Sequence, residues 1–162
     1  MNECDVLVIG AGPSGTVAAS ILSNSGFRVL LVEKERFPRF VIGESLLPRC
    51  MDNLEKAGLL EAVKEAGFQK KFGAKFVMGD KYCDFNFSDQ YYKGWDWTWQ
   101  VKRADFDKIL ADTATSKGVL IEYETAVVAV EFNTDDSAVV TVESKEGERY
   151  SIHAKFIVDG SG

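Results

Sequence analysis

The stretch Asp5-Val6-Leu7-Val8-Ile9-Gly10-Ala11-Gly12-Pro13-Ser14-Gly15 decides the fold of this chain. Its first five residues are apolar and β-branched after Asp5, the pattern of a strand buried on both faces. Gly10, Gly12 and Gly15 follow at once in GxGxxG spacing. Each glycine has a mechanical reason. Gly10 allows a tight turn, Gly12 lets a pyrophosphate approach the backbone, and Gly15 lets a helix pack close to the strand. Pro13 suits the first turn of that helix, where its missing N–H matters little. Exposed N–H groups and the helix dipole there favour a phosphate. Residues 16–25 are small and apolar at helical spacing, and Gly26 is a C-cap. Residues 28–32 form a second apolar strand closed by Glu33. A carboxylate at that point accepts hydrogen bonds from both ribose hydroxyls and repels a 2′-phosphate, so NADP is disfavoured. Strand, turn, helix, strand and acid together predict a dinucleotide-binding βαβ unit.

Outward from this unit, residues 34–48 are irregular. Residues 49–57 and 59–66 read as two short helices broken at Gly58. Residues 72–78 and 82–87 flank Gly79-Asp80-Lys81 as a hairpin. Residues 95–101 alternate aromatic and polar side chains and predict a strand with one buried face. Residues 105–117 predict a helix with Phe106, Ile109 and Leu110 on one side, ended by Gly118. Residues 119–123 predict a strand. Residues 126–132, 138–143 and 149–154 predict a three-stranded meander. Residues 156–158 predict a separate last strand running into Asp159-Gly160-Ser161-Gly162.

The 162 residues carry 19 Lys+Arg against 25 Asp+Glu, a net charge of −6. Phosphate-backbone binding needs clustered positive charge, so nucleic acid is excluded as a bulk partner, as is a polybasic membrane patch. No apolar run reaches the ~18–20 residues of a membrane span. Cys4, Cys50 and Cys83 are widely spaced and form no CxxC pair, which argues against a disulfide framework or a zinc site. His153 is the only histidine, so His-based triads and His-rich metal sites are not expected. The acidic N-terminus leads straight into a strand instead of a signal peptide, and a cytoplasmic, reduced setting is expected.

Four segments also carry a family resemblance. They are Val8-Ile9-Gly10-Ala11-Gly12-Pro13-Ser14-Gly15, Phe37-Pro38-Arg39-Phe40-Val41-Ile42-Gly43-Glu44-Ser45-Leu46-Leu47-Pro48, Val101-Lys102-Arg103-Ala104-Asp105-Phe106-Asp107, and Phe156-Ile157-Val158-Asp159-Gly160-Ser161-Gly162. The last three are similar to FPRxxxGESLxP, VxRxxFD and VDASG. In order and separation the set resembles the N-terminal half of FAD-dependent oxidoreductases of the two-dinucleotide-domain superfamily. Within them it is most similar to the flavin-dependent halogenase and geranylgeranyl-reductase-like branch, related to aromatic-hydroxylase monooxygenases. The resemblance implies an α/β fold: a Rossmann-like FAD-binding domain over residues 1–162, with a parallel sheet, a β-meander crossover and a partial substrate-facing insertion at 67–101.

The same resemblance implies FAD as cofactor and a small aromatic or prenyl-type substrate. NADH, NADPH or a separate flavin reductase would donate electrons. It assigns cofactor contacts to Gly10, Gly12, Pro13, Ser14, Gly15, Glu33, Lys34, Arg39, Ser45, Arg103, Val127, Asp159 and Gly160. Arg103 stands at a helix N-terminus, where a cation is disfavoured by the dipole, and this favours a ligand role. Asp107 reads as helix-terminal electrostatics. Lys71, in Gly67-Phe68-Gln69-Lys70-Lys71-Phe72-Gly73-Ala74, resembles the halogenase lysine that meets hypohalous acid, and is the candidate catalytic residue. A solvated strand-edge lysine is the alternative. Phe85, Phe87, Tyr91, Tyr92, Trp95, Trp97 and Trp99 crowd one segment, to line a substrate pocket or to pack a small sheet. Two rivals to a flavin enzyme stay open: an NAD-dependent dehydrogenase, and a non-catalytic dinucleotide-binding module. The resemblance also places further flavin contacts and most of a substrate domain after Gly162, so this piece alone is expected to bind FAD weakly and not to turn over.

Overall fold

A strand that is apolar on both faces needs cover on both sides, and that requirement organises the molecule. A computed structural model describes residues 2–91 and 93–162. In chain order the elements are β1 (Glu3–Ile9), α1 (Pro13–Asn24), β2 (Val29–Glu33), α2 (Arg49–Lys56), α3 (Leu60–Glu65), β3 (Gln69–Lys71), β4 (Gly73–Met78), β5 (Lys81–Asn86), β6 (Thr98–Gln100), α4 (Arg103–Ser116), β7 (Leu120–Tyr123), β8 (Thr125–Phe132), β9 (Ala138–Ser144) and β10 (Arg149–Asp159).

The main sheet has the order β7-β2-β1-β10-β9-β8. Its β7, β2, β1 and β10 neighbours pair in parallel, while β8, β9 and β10 form an antiparallel meander. On one face Val6, Val8, Val29 and Leu31 pack with Ala19 of α1 and Ala114 of α4. On the other, Leu7, Leu30 and Val32 pack with Val140, Val142 and Ile152 of the meander. Each of the larger fully buried side chains contributes about 1.5–3 kcal/mol. A further core joins α2, α3, β6 and α4 through Met51, Leu54, Leu59, Trp99, Phe106 and Leu110.

The mixed α/β fold with its mostly parallel sheet agrees with the sequence reading. Several details differ. The first helix begins at Pro13, with Gly12 as its N-cap, and α4 begins at Arg103. The separate strands expected at 149–154 and 156–158 are one strand, β10. It pairs with β9 as far as Ala154 and with β1 between His153 and Asp159, so the two pairings overlap at His153 and Ala154 and carry one strand through. The strand expected at 95–101 shrinks to β6. It pairs with β3, three residues too few and too polar to signal a strand. Trp95, Trp97 and Trp99 instead stack edge to face, with ring centroids 5.6 and 5.1 Å apart, against the α2–α3–α4 core. Packing therefore accounts for these rings; Tyr92 lies outside the described residues. Hairpin β4–β5 forms a sheet of its own, with Phe76, Met78 and Cys83 exposed on one face. Among the described residues, no helix is long and apolar enough to cross a membrane.

Candidate functional site

The glycine turn separates into two kinds of glycine. Gly10 has φ of 90°, in the left-handed region, and a Cβ there would lie 2.9 Å from the Gly160 carbonyl oxygen. A Cβ on Gly15 would lie 1.9 Å from the Gly10 carbonyl oxygen. Packing within the chain requires both. Gly12 has ordinary extended angles, φ −64° and ψ 175°. A Cβ there would meet only Arg39 Nη2, at 3.7 Å. Nothing inside the chain demands glycine at 12, whereas close approach by a ligand does. The helix it opens has no acidic residue in its first turn, so its dipole is free to face an anion.

The last motif locks onto the first. The Gly160 N–H donates to the Ile9 carbonyl at 2.9 Å. A Cβ on Gly160 would come within 3.0 Å of Gly15 Cα. Asp159 stands at the strand end beside them. Hydrogen bonds from the Ser161 side chain and backbone hold its carboxyl below the usual carboxylate range.

Glu33 is buried at the end of β2. Its Oε2 accepts the Ala11 N–H at 2.8 Å, and its Oε1 accepts the Glu35 N–H at 3.0 Å. The carboxylate is thus fixed in orientation, and each oxygen retains capacity for a further donor. Arg39 Nη2 stands 3.7 Å from Glu33 Oε2 and 3.8 Å from Asp107 Oδ2. Arg103 grips the same Asp107 in a fork, Nε to Oδ1 at 2.7 Å and Nη2 to Oδ2 at 2.9 Å. Arg103 Nη1 also lies 3.4 Å from the Ile42 and Gly43 carbonyls.

Glu33, Arg39, Arg103 and Asp159 join the glycine turn in lining one cleft of about 620 Å³. Of the expected cofactor residues it is lined by Gly10, Gly12, Pro13, Ser14, Glu33, Lys34, Arg39, Arg103, Val127, Asp159 and Gly160. Gly15 is buried beneath the turn. Ser45 and Lys71 are not in the lining but meet each other nearby. Lys71 Nζ donates to Ser45 Oγ at 2.6 Å and to the Leu46 carbonyl at 3.0 Å, and it sits 5.0 Å from the Phe87 ring centroid. The loop is delivered there by backbone bonds from Val101 N–H to Glu44 and from Leu46 N–H to Trp99. Lys71 is therefore anchored rather than freely solvated. Asp107 escaped the sequence reading as a site residue. It is buried at 1% exposure, and its spacing of four from Arg103 on one helix was the available signal.

The residues fit FAD. Gly12 leaves an open approach, the N-terminal residues of α1 line the cleft, and Glu33 sets a fixed carboxylate in its wall. In addition, Arg39 Nε is buried with no hydrogen-bond partner among the described residues. Comparison with known proteins agrees. The tryptophan 2-halogenase of Chondromyces crocatus is 38% identical over 99% of this chain and 30% of its own length. A 1H-pyrrole-2-carbonyl-[peptidyl-carrier protein] chlorinase of Pseudomonas fluorescens is 33% identical over 99% of the chain and 40% of its own. Among solved structures, a flavoprotein/dehydrogenase from Cytophaga hutchinsonii is 59% identical with a TM-score of 0.92, covering 99% of this chain and 39% of that one. The myxobacterial chondrochloren halogenase is 36% identical with a TM-score of 0.89, covering 100% and 38%. The chain thus spans well under half the length of each of these relatives. A family model described as FAD binding domain matches residues 3–162, and with the site it places the chain in the FAD-binding domain family.

Proposed function

We propose that this chain is the FAD-binding part of a flavin-dependent halogenase-type oxidoreductase acting on a small aromatic or pyrrole-like substrate. The observation that carries this is the cradle around Lys71. Two N–H bonds of its ammonium go to Ser45 Oγ and the Leu46 carbonyl, on the loop whose Gly43 carbonyl lies beside Arg103 of the cofactor cleft. An ammonium has three donors, so one remains to polarise the oxygen of a hypohalous acid. Bound FAD would supply the redox chemistry, with NADH, NADPH or a separate flavin reductase as electron source. The chain's part is to hold the cofactor through the cleft and to hold Lys71 oriented. Residues 67–101, which include Lys71 and the exposed β4–β5 hairpin, serve as the start of a substrate-facing insertion. The halogenating relatives support this reading.

The test is product analysis of the FAD-loaded full-length enzyme that carries this chain, with halide and a reducing system. A halide-dependent product, lost in Lys71→Ala while flavin reduction continues, is expected. A second reading rests on the 59% identity to a flavoprotein/dehydrogenase. It is hydride transfer from flavin to an unsaturated bond, and turnover independent of halide would select it.

A further inference from the structure

Asp107 touches both arginines of the cleft, and its geometry is not that of a helix-terminal charge. Its carboxylate is 1% exposed, on the inner side of α4. Arg103 forks onto it, and Arg39 Nη2 approaches the same Oδ2 at 3.8 Å. The two guanidiniums come from distant parts of the sequence. Arg39 Nη2 flanks Gly12 of the turn, while Arg103 Nη1 flanks Gly43 of the loop that carries Ser45. Two cations brought this close in a half-buried site repel one another unless an anion stands between them. Glu33 offsets only Arg39, at 3.7 Å. Arg103 also heads a helix, where the dipole opposes a cation. Asp107 answers both problems.

We infer that Asp107 is a positioning residue that presents Arg39 and Arg103 together to the diphosphate of a dinucleotide. The inference rests on the FAD-binding reading of the cleft. Two opposite effects follow from one carboxylate. As a charge, Asp107 repels a diphosphate; as an anchor, it sets the direction of the two groups that attract it. A forked Arg–carboxylate pair fixes guanidinium orientation in a way a point charge does not. The anchor role dominates at Arg103, whose Nε and Nη2 both donate to Asp107, at 2.7 and 2.9 Å, while Arg39 is drawn to the same carboxylate as an ion pair at 3.8 Å.

The experiment measures binding of FAD, ADP and adenosine to the full-length enzyme that carries this chain, and to its Asp107→Asn and Asp107→Glu variants, by titration. Adenosine reports the ribose site without the diphosphate. Both variants are expected to weaken FAD and ADP about tenfold and to leave adenosine within about twofold. In an Arg39→Gln, Arg103→Gln background, Asp107→Asn is expected to add less than about twofold. Tighter FAD binding by Asp107→Asn, with Asp107→Glu unchanged, overturns the inference in favour of simple charge. Equal weakening of all three ligands overturns it in favour of a structural role. If the asparagine variant does not fold, the glutamate variant, which keeps the charge and moves it by one methylene, decides the question alone. Failure of the unaltered full-length enzyme to bind FAD overturns the FAD reading itself, and the inference with it.

Discussion

Lys71 donates to the Ser45 hydroxyl at 2.6 Å, tying strand β3 to the loop between β2 and α2. The bond joins two segments singled out separately in the sequence, one for chemistry and one for the cofactor. Under the proposed halogenating function, Ser45→Ala in the full-length enzyme is expected to leave Lys71 on the Leu46 carbonyl alone and to lower turnover severalfold. Lys71→Ala is expected to lower it by about 10²-fold or more, the size of losing a positioned proton donor. Flavin reduction should stay within about twofold in both. Turnover unchanged in Lys71→Ala would remove that residue from the chemistry.

The glycine turn should respond differently at its two kinds of position. Gly15→Ala drives a methyl into the Gly10 carbonyl oxygen, and a loss of about 3 kcal/mol is expected from overpacking. Gly12→Val should fold, since Gly12 has ordinary angles and open space beside it, but should lose FAD. Thermal unfolding and flavin fluorescence separate the two effects. Retained FAD affinity in Gly12→Val would mean that no ligand approaches that backbone.

Asp5 joins three elements at the base of the sheet. It accepts Lys155 Nζ at 2.8 Å and the Arg28 N–H at 2.9 Å. Hydrogen bonds from Lys155 first, then from Arg28, hold its carboxyl well below the usual range. A lowered folded-state pKa gives stability that is present above the unfolded value of about 3.9 and is lost as pH falls through the folded value. Asp5→Asn should therefore lower the urea midpoint near neutral pH, and the gap should narrow below about pH 4. A gap of constant width down through the acid range would contradict this assignment.

The three thiols should react in order of burial. Cys83 is exposed on β5, Cys50 is half-buried, and Cys4 is buried. Burial is also the main cause that pushes the Cys4 thiol above its ordinary pKa. A disulfide reagent should label Cys83 fast, Cys50 more slowly and Cys4 only on unfolding. Rapid labelling of Cys4 would mean that β1 is not covered as described.

The βαβ unit was legible because hydrophobic period, glycine spacing and Glu33 all point to one local structure. The continuous β10 was not. Its exposure pattern changes where β9 ends and β1 continues, so a local window reads two strands where pairing makes one. Strand β3 was invisible because Gln69, Lys70 and Lys71 are held by β6 and not by any apolar pattern of their own. That the glycine turn and Asp159–Gly160 share one cleft could be read from their motifs. The meeting of Arg39 with Asp107 could not, since the two are far apart in sequence and nothing in either segment names the other.

The pairing of β1 with β10 has a consequence for synthesis. Strand β1 finds β2 soon after the turn and α1 are made, but its other edge waits for residues 153–159. At about 5–20 residues per second, that edge stays bare on the ribosome for roughly 8–30 s. An unpaired apolar strand edge is a template for pairing with other chains. Yield in a host should therefore improve with slower initiation, lower temperature or a chaperone that shields nascent chains, because the strand at the centre of the sheet is among the first segments made and its pairing is among the last to close.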